Sequence, residues 1–261
     1  MAQVVRSHDE HGVRTLLLDS GDGRNAVGPE LNRQLDEAFA AAAADERVRV
    51  VVLTGEGRMF SAGGNLNLLL EGLDRFDPEE MRRSLLASLE IVGRIVTFPK
   101  PTLALLNGPA AGGGMAFALA CDLRIAAQRA KLVYAYGAIG LAGDFGMNWL
   151  LGRLLGPGRA RSFAFGGAVG ADRALALGLV DEVVADEALR ETGMARAREL
   201  AKMSGPALAA IKRNRDCSRL SFAEAGVIEA ESFIALRAGP EHRAAVEAMA
   251  AQLGIKGRPK G

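Results

Sequence analysis

Short β-branched runs alternate with longer stretches of helical spacing along most of the chain. Val13–Asp19 and Val48–Thr54 are apolar runs of strand length that end at Ser-Gly or Gly. Between them Leu31, Leu35, Ala38 and Phe39 recur at helical spacing, predicting a helix over Pro29–Ala44 with its proline in the first turn. Met81, Leu85, Leu89, Val92 and Val96 predict a second amphipathic helix over residues 79–98, ended before Pro99. A strand over Thr102–Leu106, a helix opening at Gly113 and a strand over Asp122–Ala126 come next. This alternation implies an α/β fold, with parallel strand layers and helices packed outside. From about Gly146 the pattern turns helical, with candidates at Met147–Leu155, Asp172–Leu177, Glu187–Met203, Pro206–Asn214, Phe222–Arg237 and Pro240–Gln252. A boundary near residue 200 divides an α/β core, 1–200, from a helical C-terminal region, 201–261, whose tail Gly257–Gly261 reads as disordered.

The segment Pro101–Cys121 carries no charge over 21 residues, long enough to raise a membrane span. Asn107, Pro109 and the triplet Gly112–Gly114 interrupt it, so it reads as a buried strand, a loop and a buried helix. Across the 261 residues, 32 Lys and Arg face 31 Asp and Glu, a balance that argues against a nucleic-acid or anionic-membrane partner. Two cysteines, Cys121 and Cys217, provide no disulfide framework, and the polar N-terminus lacks an apolar targeting core. A cytoplasmic location is therefore expected. The three histidines, His8, His11 and His242, are flanked by charges and read as surface groups, not as a metal site or triad.

Two glycine-rich corners directly follow strands: residues 55–66 after Val48–Thr54, and residues 107–116 after Thr102–Leu106. Glycine lets the backbone approach a ligand closely, and a helix N-terminus offers free N–H groups and a favourable dipole. Corners on adjacent strands can aim two N–H groups at one oxygen, the geometry of an oxyanion hole. The plainer reading is a pair of tight turns with close helix packing. A dinucleotide-binding reading fails, because the glycine spacing is not GxGxxG and no acidic residue follows the next strand. No GK[ST] occurs, which excludes a P-loop.

The corners belong to an ordered set: Arg-Asn-Ala-Val at 24–27, Val-Val-Leu-Thr-Gly at 51–55, Phe-Ser-Ala-Gly-Gly-Asn-Leu at 60–66 and Asn-Gly-Pro-Ala-Ala-Gly-Gly-Gly at 107–114. Ala-Cys-Asp-Leu-Arg-Ile-Ala at 120–126, Ile-Gly-Leu at 139–141 and Asp-Phe-Gly at 144–146 continue it. In order and spacing, over roughly residues 10–190, the set resembles the crotonase superfamily, the enoyl-CoA hydratase/isomerase group. The resemblance implies a crotonase-like ββα superhelix with a helical C-terminal trimerisation region, assembled as a homotrimer or as a hexamer of two trimers. It implies an acyl-CoA substrate, with coenzyme A carried by the thioester and no other cofactor or metal. The family's two oxyanion-hole N–H groups map onto Gly64 and Gly113. Ala62, Gly63, Asn65 and Leu66 would face the adenine and pantetheine of CoA. Ala26 would join them, and Arg24 would lie near the CoA phosphates; the alternative for Arg24 is a solvated loop charge.

The sequence departs from the family at the two glutamates with which its hydratases activate water. Ala116 and Tyr136 stand at those positions, which puts hydration by the usual pair in doubt. One carboxylate remains, Asp144, set between glycines after an apolar stretch. By itself it suits the N-cap of the helix starting near Gly146. The resemblance implies another role, because some superfamily isomerases and dehalogenases place a catalytic Asp there. Burial near Tyr136, Phe145 and Trp149 is expected to raise its pKa, and Tyr136 and Trp149 are candidates to line the acyl pocket. Asn67–Pro78 reads either as a lid over the acyl chain or as an ordinary amphipathic helix. The expected activity is double-bond isomerisation by Asp144. The alternatives are hydration of trans-2-enoyl-CoA and a catalytically impaired acyl-CoA-binding protein.

Overall fold

The computed structural model describes residues 3–72 and 76–255, so the tail reading at Gly257–Gly261, and residues 73–75 of the segment read as a lid, lie outside the described residues. Strands β1 (Val5–Glu10) and β2 (Val13–Leu18) form a hairpin whose turn places His11 and Gly12 at φ 49° and 79°. The sequence pattern does not announce β1, because only Val5 of its six residues is fully buried and its sequence, VRSHDE, has no apolar alternation. Helix α1 (Pro29–Ala44) turns Leu31, Leu35, Phe39 and Ala42 inward. Strand β3 (Val50–Gly55), helix α2 (Leu66–Gly72) and helix α3 (Pro78–Thr97) come after it, with Asp77 capping the first turn of α3.

The uncharged segment folds as strand β4 (Thr102–Leu106), the two-residue strand β5 (Ala110–Ala111) and helix α4 (Gly112–Ala120). Every residue of α4 is buried, which explains its unbroken apolar sequence. Next come β6 (Leu123–Ala127), β7 (Lys131–Val133), helix α5 (Met147–Gly166), β8 (Ala168–Gly170), α6 (Ala171–Leu177), β9 (Glu182–Val184) and α7 (Leu189–Lys202). The helix expected to end at Leu155 breaks there at Gly156 and Pro157, then resumes as the second half of α5.

Six strands form one sheet in the order β1-β2-β3-β4-β6-β9, parallel except for the β1–β2 hairpin. Val51, Leu53, Ala104 and Leu106 pack on one face with side chains of α1, α3 and α4, while Val50, Val52, Leu103 and Leu105 pack on the other with α7. Strands buried on both faces read as continuous apolar runs, which is why β3 and β4 are visible in the sequence. A second sheet, β5-β7-β8, is built from strands of two or three residues, too short to give a pattern.

The chain divides into two compact units, Met1–Ala201 and Lys202–Gly261. The second holds α8 (Gly205–Asn214), α9 (Phe222–Arg237) and α10 (Pro240–Gln252). Ser221 and Glu224 form a reciprocal capping box that fixes the start of α9. Phe222, Phe233, Ile234 and Met249 of this unit are exposed. Among the described residues no helix is long and apolar enough to cross a membrane.

Candidate active site

Strands β3 and β4 are parallel neighbours, so the chain leaves both at the same edge, where two buried asparagines pin the loops. The Asn25 side chain, fully buried at φ 51°, accepts from the Ser20 N–H (3.3 Å) and donates to the carbonyls of Glu56 (3.0 Å), Met59 (2.9 Å) and Phe60 (3.3 Å). Asn107 accepts from the Gly55 N–H (3.2 Å) and donates to the carbonyls of Gly57 (3.0 Å) and Met59 (3.1 Å). Ser61 Oγ donates to the Asn25 carbonyl (2.6 Å) and accepts from the Gly63 N–H (3.2 Å). These bonds satisfy a loop that has almost no regular structure of its own.

Beyond the pinned loop the two segments run side by side. Ser61 and Ala110 form a parallel bridge, the Ala111 N–H donates to the Ser61 carbonyl (3.0 Å), and Gly64 and Gly113 each lie three residues past the bridged pair. The Val27 N–H donates to the Gly63 carbonyl (2.6 Å) and the Asn65 N–H to the Val27 carbonyl (3.2 Å). Extended backbone alternates its direction, so the Gly64 N–H points away from Val27. Gly113 is the second residue of α4, and its N–H is one of the four that a helix leaves without an internal acceptor. Gly63 cannot be replaced without strain: at φ 79° a Cβ there would lie 2.5 Å from the Ala111 carbonyl oxygen.

The third part of the site is the loop before α5. Phe145 is held at φ 52°, and its ring packs edge-on to Phe117 (centroids 5.7 Å apart, 83°). The same ring reaches within 3.0–3.1 Å of where a Gly113 Cβ would stand, so the glycine makes room for it. The adjacent residue, Asp144, is half-buried, and the Tyr136 hydroxyl donates to its Oδ1. Tyr136 Oη in turn lies 3.7 Å from the Cβ position of Gly112, which brings the pair to the N-terminus of α4. Burial pushes the Asp144 carboxyl above its ordinary range, outweighing the opposite effect of the Tyr136 bond. Burial and the neighbouring carboxylate push the Tyr136 hydroxyl up, keeping it a proton donor.

The local structure decides between the two readings of Asp144 as a helix cap and as a free carboxyl. Asp144 does not cap α5: Gly146 holds the N-cap position at φ 67° without a side-chain bond, and only the Asp144 backbone carbonyl reaches the helix, accepting from the Met147 N–H (2.9 Å). The carboxyl prefers the Tyr136 hydroxyl. Trp149 is 44% exposed with the Arg153 guanidinium 4.7 Å from its ring centroid, whereas Phe145 and Tyr136 are buried. Ala116, where the family's hydratases carry a glutamate, is fully buried in the core. Arg24 is exposed, and its carbonyl accepts from the Ala62 N–H (2.8 Å). Ala26, Ala62 and Asn65 are half-buried along the same strip, and Leu66, 58% exposed, opens α2. Asn25, Ser61 and Asn107 lie within the sequence motifs, yet the sequence assigns them no task. Asparagine near glycine reads as a turn, and only burial distinguishes a pin from a turn.

Replacing Asn25 with Ala leaves the Glu56 and Phe60 carbonyls without their amide donor and the Met59 carbonyl with that of Asn107 alone. The expected loss is about 2–4 kcal/mol, read from the urea midpoint. Asp144→Asn should raise Tm at pH 8, because the wild type must ionise a carboxyl whose charged form burial disfavours. Both carboxyl states are neutral at low pH, so the gap should close as pH falls below the ordinary Asp range, about 3.9.

The chain matches the enoyl-CoA hydratase/isomerase family over residues 8–238. It is 38% identical over 220 residues to the 1,2-epoxyphenylacetyl-CoA isomerase of Escherichia coli K12, covering 82% of each chain. It is 34% identical to 4-chlorobenzoyl coenzyme A dehalogenase-2 of Arthrobacter sp, covering 73% of this chain and 69% of that one. The crystal structure of an enoyl-CoA hydratase from Polaromonas sp. JS666 superposes with a TM-score of 0.88 at 34% identity, covering 97% of each chain. Together with the glycine corners after β3 and β4, these likenesses show that the chain belongs to the enoyl-CoA hydratase/isomerase family of the crotonase superfamily, and so to a group of acyl-CoA enzymes.

Proposed function

We propose that this enzyme shifts a carbon–carbon double bond along the acyl chain of an enoyl-CoA thioester, with Asp144 as the single proton shuttle. The observation that carries the reading is the Asp144–Tyr136 pair beside Gly112 and Gly113, with no second carboxylate acting on Asp144 among the described residues. The likeness to a relative named an isomerase supports the same reaction class.

The thioester oxygen sits between the Gly64 and Gly113 N–H groups, where the α4 dipole favours the charge that develops on it. The Asp144 carboxylate removes a proton from C2 of a 3-enoyl group, and the electrons move through the thioester as a dienolate. The now neutral carboxyl returns the proton at C4, leaving the double bond between C2 and C3. Atoms and electrons balance with Asp144 alone, and no cofactor is needed beyond the CoA of the substrate. A raised carboxyl pKa suits both halves of this exchange, since the group must take and release a proton near neutrality. Arg24, Ala26, Ala62, Gly63, Asn65 and Leu66 would run along the CoA moiety. The exposed Phe222, Phe233, Ile234 and Met249 would be covered by further copies of the chain in a trimer or hexamer.

Hydration is the second reading, favoured by the likeness to the Polaromonas hydratase. It would have to activate water with Asp144 alone, since Ala116 is buried and Tyr136 is committed to Asp144.

Turnover of a 3-enoyl-CoA and of a trans-2-enoyl-CoA by wild type and Asp144→Asn provides the test. Isomerisation by the wild type should fall about 10²–10⁴-fold in the variant. Its kcat/KM should decline on acidification at a pH above the ordinary Asp value of about 3.9, because the base must be ionised. Hydration of the trans-2-enoyl-CoA that survives Asp144→Asn undiminished would overturn the reading.

A further inference from the structure

The loop carrying Asp144 is held in an unfavourable shape. Between Ala142 and Met147, residues Gly143, Phe145 and Gly146 take φ of 106°, 52° and 67°. A non-glycine residue at positive φ is disfavoured and persists only where its surroundings over-determine it. The Phe145 ring, seated on Gly113 and Phe117, is one such anchor, downstream of Asp144.

A second anchor lies upstream. The Tyr134 hydroxyl, on a buried side chain just after β7, donates to the Ala142 carbonyl (2.7 Å) and lies 3.0 Å from Asn148 Oδ1. Asn148, in the first turn of α5, donates its own amide to the same carbonyl (3.0 Å). The fit is tight, since a Cβ at Gly143 would stand 2.9 Å from the hydroxyl. The Tyr134 ring also packs edge-on to Tyr136 (centroids 5.1 Å apart, 69°), the residue whose hydroxyl donates to Asp144. One side chain thus touches both the loop two residues before Asp144 and the hydrogen-bond donor of Asp144. Its backbone is fixed independently, because the Tyr134 N–H donates to the Gly167 carbonyl (2.6 Å).

We propose that Tyr134, braced by Asn148, is a positioning residue that holds Asp144 against Tyr136 and over the glycine N–H groups of α4. The inference rests on Asp144 being the base of the reaction proposed above. Tyr134 bonds neither Asp144 nor a reacting atom; it acts through Ala142 and Tyr136. A misplacement of even 1 Å at a catalytic group is costly, so a clamp on a strained loop has direct leverage on rate.

The variant Tyr134→Phe removes the hydroxyl and keeps the ring. Three quantities are measured in wild type, Tyr134→Phe, Asn148→Ala and Asp144→Asn: Tm, steady-state kinetics on a 3-enoyl-CoA, and the pH titration of the Asp144 carboxyl by carbon NMR. Among the described residues, the groups acting on that carboxyl are Tyr136 Oη and its own backbone N–H, with no charged side chain contributing. A titration shift therefore reports the loop and not a remote charge. Tyr134→Phe should lower kcat about tenfold with KM within about twofold. The Asp144 titration should move toward the ordinary carboxylate range as the loosened loop admits water. Asn148→Ala, at an exposed position, should do the same more mildly, and it carries the test if Tyr134→Phe folds poorly. An unchanged kcat and titration in Tyr134→Phe at wild-type Tm, with Asp144→Asn inactive, would overturn the clamp alone. Wild-type turnover by Asp144→Asn would instead overturn the assignment of the base, and the clamp's catalytic role with it.

Discussion

Adjacent parallel strands β3 and β4 deliver two loops to the same edge of a well-packed core, and the backbone polar groups of those loops must find partners there. Buried polar groups without partners are costly, and side chains and backbone satisfy many of those in the two loops. Asn25, Asn107 and Ser61 take up the N–H and carbonyl groups of residues 55–63, and the Ser61–Ala110 bridge sets the two segments in register. In the proposed reaction the Gly64 N–H, which points away from Val27, and the Gly113 N–H at the start of α4 would receive the charged oxygen. The parallel sheet makes this possible, because only adjacent parallel strands deliver two loops to one edge.

The carboxyl is positioned by a different device. Asp144 sits on a short loop whose backbone is strained at Phe145, and its position depends on what holds the loop: aromatic packing on α4 downstream, and the Tyr134–Asn148 bonds upstream. Burial raises the carboxyl pKa while the Tyr136 hydroxyl moderates the rise. The positive φ of Phe145 and the half-buried carboxyl both cost stability, a cost that the proposed reaction would turn to use.

Within its family the chain combines a fully kept glycine framework with an altered acid–base set. In the proposed reading this framework would bind a thioester whatever the chemistry, in keeping with relatives named isomerase, hydratase and dehalogenase at 34–38% identity. Ala116 lies inside the core and Tyr136 is turned onto Asp144, which is why the proposed reaction relies on one carboxyl.

Much of the architecture can be read directly from the chain. Pro29–Ala44, Thr102–Leu106, Phe222–Arg237 and Pro240–Gln252 coincide with observed elements, because each is an apolar run or a helical repeat with a proline or serine signal at its start or just before it. Strand β1 and the strands of the second sheet are invisible in sequence, being polar or too short for periodicity to register. The glycine corners and Asp144 are legible as candidates, since the residue types and their order are properties of the sequence alone. Which way Asp144 turns is not: capping α5 and accepting from Tyr136 are both sound local choices, and eight residues separate the two partners. Nor can sequence separate Trp149 from Phe145, two aromatics four positions apart, of which one faces solvent and the other rests on Gly113. Local pattern determines which elements form; contacts between residues far apart in the chain decide where a side chain points, and the catalytic geometry depends on those contacts.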